Sequence, residues 1–318
     1  MACVLRTVFL IFMLFPALAV GKPVHIPGPE GPLEGEMIVV DGALHAVVIV
    51  PGSGPTDRDG NSSQGLATNT YRLLAEGLAE AGISSVRIDK RGLYGSSMAI
   101  ANPNNVTLSA YAEDVRNWVG FVSDLAPCVW IAGHSEGGLV ALVAAQNAPA
   151  NLCGLILLAT PGRPAGELLI EQLEGNPHNA PLVEDIRSIV TDLEGGRRRE
   201  AGSIPPILQP LFVDSVQGYL IDLFSYDPSD VAATWRGPAL IVQGDADRQV
   251  RLKDADLLVR AMPQARRLHL AGGTHMLKAL SERDPLADYR DPSLPLHAGL
   301  LGGIVQFLEA SPSRARLR

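Results

Sequence analysis

The chain has 318 residues, 47% apolar and 19% charged, enough for a sizeable buried core in one large domain or two ordinary ones, which excludes disorder and collagen-like repetition. A formal charge of −8 gives no general attraction to phosphate backbones or anionic lipid, and the one tight basic cluster, Arg197-Arg198-Arg199, runs straight into Glu200, so no nucleic-acid partner is expected. Three cysteines, with no CxxC and no Cys/His cluster of zinc spacing, are too few for a disulfide scaffold and offer no metal site.

Residues 1–19 read as a secretory signal: one basic residue, Arg6, then the apolar run Val8 to Phe15, a helix-ending Pro16 and the small-x-small stretch Ala17-Leu18-Ala19. The apolar segment Thr7 to Val20 contains a proline and falls short of the roughly 20 residues that span a bilayer. Cys3 precedes the apolar run and is not placed as a lipoprotein acceptor. Export to the periplasm or medium is therefore expected, with no stable membrane insertion after cleavage. Losing Arg6 makes the mature chain one unit more negative. It also leaves Cys128 and Cys153 in a compartment where oxidation is possible.

Along the mature chain, strand-length apolar runs are Leu44 to Val50, Ile83 to Ile88, Val129 to Ala132, Gly154 to Ala159, Ala239 to Val242 and Leu268 to Leu270. Most are separated by helical spacing: Tyr71, Leu74, Leu78 and Ala81 share one helix face, as do Val115, Trp118, Val119 and Val122. This alternation predicts an α/β fold with a mostly parallel sheet covered by helices, because each parallel strand needs a crossover. Residues 162–235 break the alternation. They hold no convincing strand but two amphipathic stretches, one through Leu182, Ile186, Ile189 and Leu193, the other from Leu208 to Leu223. The expected organisation is a core from 20–161 and 236–318, interrupted by a helical cap at 162–235. Ser311 to Arg318 read as a frayed tail.

Cys128 and Cys153 each stand just before a strand. If those strands are neighbours in register, their starts lie within disulfide reach. The other reading is two buried thiols.

Chemistry concentrates where strands end. Gly133-His134-Ser135-Glu136-Gly137 follows one strand and opens the helical run Leu139 to Ala148, the strand-turn-helix setting that gives a G-x-S-x-G pattern its meaning. Such a turn is sharp and tolerates little bulk two residues either side, and it aims the Ser135 hydroxyl out of the sheet. The new helix turns its free N–H groups toward developing oxyanion charge. A serine hydroxyl also needs a base, and the base needs an acid to hold its tautomer. Of the seven histidines, His275 emerges from a strand end in Gly272-Gly273-Thr274-His275. His297, the other histidine past the last strand, begins a terminal helix. Asp247 and Asp245 both follow the strand Ala239 to Val242. Asp247 leads Arg248-Gln249-Val250 and is preferred as the acid, while Asp245 suits a turn held by side-chain hydrogen bonds.

The order Ser135, Asp247, His275 is the Ser, acid, His order of α/β-hydrolases. With the runs Pro51-Gly52-Ser53-Gly54-Pro55-Thr56-Asp57-Arg58-Asp59-Gly60-Asn61 and Asp89-Lys90-Arg91-Gly92-Leu93-Tyr94-Gly95-Ser96-Ser97, the chain resembles the α/β-hydrolase superfamily over essentially its whole mature length. Within it, the chain is similar to the bacterial carboxylesterase branch that includes EstD-type esterases. The resemblance implies a Ser-Asp-His esterase with a helical cap, acting on a small-molecule ester without cofactor. It maps the oxyanion donors onto the backbone N–H groups of Ser53 and Glu136. Pro51 departs from the pattern, standing where lipases often carry histidine.

Read without the family, Asp57, Arg58 and Asp59 hold a turn by charge-assisted hydrogen bonds. A substrate-carboxylate site at Arg58 is the alternative, and Asp89 and Arg91 share that ambiguity, with scaffolding preferred. For Glu136 only the backbone N–H is assigned. The expected reaction is hydrolysis of short to medium acyl esters. A serine aminopeptidase of the proline iminopeptidase kind, a thioesterase or acyltransferase, and a catalytically silent carrier of an apolar ligand are the alternatives.

Overall fold

A computed structural model describes residues 21–311, so the expected signal segment and residues 312–318 of the tail lie outside the described residues. The apolar runs form strands in it. The strands are β1 (Lys22–Ile26), β2 (Leu33–Ile38), β3 (His45–Val50), β4 (Ser84–Ile88), β5 (Cys128–His134), β6 (Leu152–Leu158), β7 (Ala239–Gly244) and β8 (Arg266–Leu270). They form one sheet in the order β1-β2-β4-β3-β5-β6-β7-β8. Pairing is parallel from β4 through β3 to β8 and antiparallel at β1/β2 and β2/β4. The parallel α/β architecture is as expected, while β1 and β2 are an addition. Their sequences, KPVHI and LEGEMI, carry proline, glycine and acids among half-exposed positions, so no apolar run marks them.

The helices before the interruption are α1 (Thr70–Glu80), α2 (Leu108–Phe121) and α3 (Glu136–Gln146). Those within it are α4 (Ala165–Glu174), α5 (Val183–Glu194), α6 (Gln209–Phe212), α7 (Asp214–Phe224) and α8 (Pro228–Ala232). After it come α9 (Leu252–Ala261), α10 (Ala287–Arg290) and α11 (Ala298–Ala310). Successive strand residues point to opposite faces. Val47 and Ile49 of β3 therefore join Leu74, Leu78, Ile304 and Phe307 of α1 and α11, while Val48 and Val50 join Trp118, Val119 and Leu142 of α2 and α3. Cover on both faces is why the central strands read as unbroken apolar runs. Each such side chain, fully buried, contributes about 1.5–3 kcal/mol.

Because β5 and β6 are parallel neighbours, Cys128 and Cys153 meet across them and are joined in a disulfide, with Cα atoms 5.4 Å apart. Between Ala165 and Ala232 the ordered elements are all helical. Ile186, Ile189, Val190, Leu193, Phe212 and Phe224 continue the cluster on the α2 and α3 face. Arg163, at the entrance to this segment, fastens it to α9 by two parallel bonds to the buried Asp254, at 2.9 and 3.0 Å. Among the described residues no helix is long and apolar enough to cross a membrane.

Candidate active site

Ser135 occupies the single position between β5 and α3, with φ 53° and ψ −124°. A non-glycine residue at positive φ costs of order 1–3 kcal/mol and persists only where its surroundings enforce it. Here the Ser135 N–H donates to the Leu158 carbonyl and its own carbonyl accepts from the Gly138 N–H, both at 2.9 Å. The glycines on either side are sterically required. A Cβ on Gly133 would stand 2.2 Å from the Gly137 carbonyl oxygen, and one on Gly137 would stand 2.5 Å from the carbonyl oxygens of Val50 and Pro51.

Asp247 and His275, carried by the loops after β7 and β8, are brought together. The His275 Nδ1 is 2.9 Å from Asp247 Oδ2, and both side chains are buried. The other carboxylate oxygen accepts the N–H groups of Gln249 and Val250 at 2.8 and 2.9 Å, and Gln243 Nε2 adds a bond at 3.1 Å to Oδ2. Burial alone would push this carboxyl up. His275 and the backbone donors outweigh burial and hold it below the ordinary carboxylate range. An ionised Asp247 fixes a proton on Nδ1 and leaves Nε2 of His275 free to take one. Asp245 stands apart: it accepts the Gly272 N–H at 2.6 Å and meets His269 at 3.1 Å, shaping the turn before His275. His297 caps α11, accepting the Gly299 N–H.

Two cavities meet at Ser135. One, of about 140 Å³, is lined by Ser53, Thr68, Ser135, His275 and Tyr289. The other, of about 170 Å³, runs beneath the helical segment along Leu168, Leu169, Leu220, Leu223 and Phe224, and it too reaches Ser53 and Ser135. Ser53 follows β3, beside the nucleophile turn. Among the described residues, neither its N–H nor that of Glu136 at the start of α3 has a protein acceptor. Two free donors thus flank the serine that lines both cavities.

A family model described as serine aminopeptidase, S33, matches residues 65–180. The chain is 27% identical over 245 residues to Esterase EstD of Thermotoga maritima, an alignment covering 76% of this chain and 54% of that protein; the chain spans about half the length of that curated relative. Among solved structures, the α/β hydrolase GrgF from Penicillium sp. sh18 superposes with a TM-score of 0.61 at 18% identity, covering 92% of this chain and 99% of that one. The proline iminopeptidase of Mycobacterium smegmatis does so with a TM-score of 0.61 at 15% identity, covering 93% and 100%. The chain has the α/β-hydrolase fold and is similar in sequence to Esterase EstD.

In this fold the loop after β3 is a scaffold. Asp57 Oδ1 accepts the N–H groups of Asp59 and Asn61 at 2.9 and 2.8 Å. Arg58 is committed to the buried Asp89, with its Nε at 2.9 Å, and to Glu34 at 3.1 Å, while Arg91 is held by Asp114. These contacts occupy the guanidinium groups that a substrate carboxylate would need.

Two further residues of the chain are set into the site without standing out in the sequence. His134 Nε2 lies 2.8 Å from the His275 carbonyl, which can only accept, so Nε2 carries the proton and Nδ1 accepts from Tyr71 Oη at 2.8 Å. Tyr71 in turn accepts the Gly52 N–H at 3.0 Å. One chain of bonds therefore runs from the β3 loop through the nucleophile turn to the backbone of His275. Burial first, and the neighbouring His275 second, push the His134 imidazole down to about 3, so it stays neutral. The second is Lys90, whose buried Nζ donates to the Gly52 carbonyl at 2.6 Å and lies 3.7 Å from the Glu136 carboxylate. The only sequence signals were the histidine inside the G-x-S-x-G turn and the lysine within Asp89-Lys90-Arg91.

Proposed function

We propose that this hydrolase is a carboxylesterase working through an acyl-enzyme on Ser135, with His275 as base and Asp247 as its partner. The observation that carries the reading is the buried Asp247–His275 bond opening onto the same cavity as a serine in a strained strand-to-helix turn. Esterase EstD, the relative described above, supports it. Ser135 attacks the ester carbonyl, His275 takes the hydroxyl proton, and the Ser53 and Glu136 N–H groups receive the negative oxygen. His275 then protonates the departing alkoxide. In the second half it activates water, which releases the acid and restores Ser135. Side chains, the two backbone N–H groups and water suffice for every step.

The apolar cavity takes the acyl chain, and the smaller one beside His275 takes the alcohol. Both volumes lie below the roughly 300–1,000 Å³ of pockets that enclose drug-sized ligands, which suits short to medium chains. The helices from α4 to α8 serve as the cap that shapes the acyl cavity. The protein is exported through residues 1–19, and the Cys128–Cys153 bond suits an oxidising compartment.

The matched family description favours a second reading, cleavage of an N-terminal residue from a peptide. That chemistry calls for a carboxylate to hold the substrate's ammonium. Among the described residues lining the apolar cavity the only carboxylate is Glu136, and it is paired with Lys90. Esters are therefore preferred to amides. Fluorophosphonate labelling, which should vanish in Ser135→Ala, combined with rates on matched aryl esters and aryl amides from acetyl to long acyl chains, tests the reading. Faster turnover of an aminoacyl amide would install the peptidase instead, and labelling that survives Ser135→Ala would remove the nucleophile.

A further inference from the structure

The two oxyanion donors assigned above come from different segments, the loop after β3 and the first turn of α3. Nothing in the Ser-Asp-His constellation explains what fixes one relative to the other. The Gly52–Ser53 peptide bears the first donor, and like every peptide bond of the described residues it is trans. In a planar trans peptide the C=O and the following N–H point in opposite directions. Whatever holds the Gly52 carbonyl therefore aims the Ser53 N–H.

Lys90 Nζ holds that carbonyl at 2.6 Å, from beneath the loop, where the lysine is 5% exposed. The Gly52 N–H is held as well, by Tyr71 Oη at 3.0 Å, so the residue before the donor peptide is fixed on both sides. It is also pressed close to the nucleophile: a Cβ there would stand 3.3 Å from the Ser135 Cβ and from the His134 carbonyl oxygen. The same ammonium lies 3.7 Å from the carboxylate of Glu136, the residue whose backbone N–H is the second donor. It also stands 5.6 Å from the centre of the Tyr111 ring. One buried charge thus reaches both segments that carry donors, and Ser53 and Ser135 line the same two cavities.

We infer that Lys90 is a positioning residue for oxyanion stabilisation, clamping the Gly52–Ser53 peptide and tying it through Glu136 to the start of α3. The inference rests on the proposed acyl-enzyme reading of Ser135. A bond from an ammonium is about twice as strong as one between neutral groups, and it draws electron density from the carbonyl, which makes the N–H of that peptide a better donor. A group that acts in this way matters when charge develops on the substrate oxygen and not when the ester is merely bound. Full loss of one oxyanion donor costs about 10²–10³ in kcat. Loosening one costs less.

The test measures Lys90→Met and Lys90→Gln beside Ser135→Ala. A short-chain aryl ester supplies kcat and KM. Two inhibitors of equal chain length follow, a trifluoromethyl ketone that forms a tetrahedral oxyanion on the serine and an unreactive alkyl amide that does not. Lys90→Met should lower kcat by about 10–100-fold and weaken the ketone in step, with KM and amide affinity within about twofold. Lys90→Gln, which retains a neutral donor able to reach the carbonyl, should fall between and remains decisive if the methionine variant does not fold. Unchanged kcat and ketone affinity in either folded variant would overturn the inference, as would equal weakening of ketone and amide, the mark of a general structural role. Activity surviving in Ser135→Ala would instead dispose of the nucleophile reading.

Discussion

The rim formed by the strand ends and the helical segment above it spend their polar groups differently. At the rim, two buried side chains are fully bonded: Asp247 accepts from Gln249, Val250, Gln243 and His275, and His134 bonds at both ring nitrogens. In the helical segment beyond its Arg163 anchor, two of the ion pairs lie at the surface, Arg197 with Asp192 and Arg198 with Asp214, where such pairs contribute about 0–1 kcal/mol. What that segment turns toward Ser135 is mostly apolar, Leu168, Leu220, Leu223 and Phe224. On the proposed esterase reading, the difference teaches that reaction chemistry and substrate size are written in separate stretches of chain. Substitutions at the rim should change turnover, and substitutions in the helices should change selectivity.

The sharpest break of that comparison comes from two aspartates two residues apart. Asp247→Asn should lower kcat by about 10⁴, because the amide favours the wrong tautomer of His275 while leaving the shape intact. Asp245→Asn, at an exposed turn, should leave kcat within about twofold. Steady-state rates on one aryl ester decide between them, and a larger loss at Asp245 would reassign the acid.

A second measurement asks whether the sheet beneath the rim can be weakened without touching the chemistry. The Cys128–Cys153 bond joins the starts of β5 and β6 across 25 residues of sequence, a loop for which the chain-entropy account gives about 3.5 kcal/mol. Cys153→Ala should shift the urea midpoint accordingly while KM at permissive temperature stays unchanged. A midpoint identical to that of the parent would show that the bond adds no stability.

The third concerns His134. Its ordinary value is 6.5, and in the folded chain burial first and His275 second push it down to about 3. Between those values the unfolded chain binds the extra proton, so stability is complete above pH 6.5 and falls as pH drops toward 3, by up to about 1.4 kcal/mol per unit. Asp247, also depressed, adds its own loss only further into the acid range, whereas Asp57, Asp114 and Asp288, raised by burial, act in the opposite direction. The difference between the parent and His134→Gln isolates the imidazole. Denaturation curves at pH 7, 6, 5 and 4 should converge for the pair as pH falls, and parallel curves would mean that His134 is not held neutral.

How much of this was legible beforehand follows from where each signal is local. The parallel strands were readable because burial on both faces makes them continuous apolar runs. β1 and β2, half exposed at the antiparallel edge, carry no such run. Ser135 was readable because its turn needs glycines at fixed offsets, and Gly133 and Gly137 stand where a Cβ would strike backbone. Lys90 and Tyr71 were not, because their partners are backbone atoms of Gly52, some 38 and 19 residues away, and a bond to backbone leaves no mark on the residue type at its far end. The alternative roles for Arg58 and Asp89 stayed open for a related reason: each is a charged residue in a loop, and only their 2.9 Å contact makes them a pair.

The smallest effect tests the other half of the comparison. Leu220 of α7 lines the apolar cavity without being wholly buried, and Leu168 of α4 faces the same space. Leu220→Trp would extend a ring into a cavity of about 170 Å³ and reduce the room for a long chain. Neither the Asp247–His275 bond nor the Gly52 clamp involves α7. Rates on acetyl esters should therefore stay within about twofold, while those on octanoyl esters fall by about tenfold, the scale on which apolar pockets discriminate a few methylenes. Both ratios come from one panel of aryl esters. An equal loss on the short and the long substrate would mean that the helix acts on the chemistry after all, and the division between rim and helices would no longer stand.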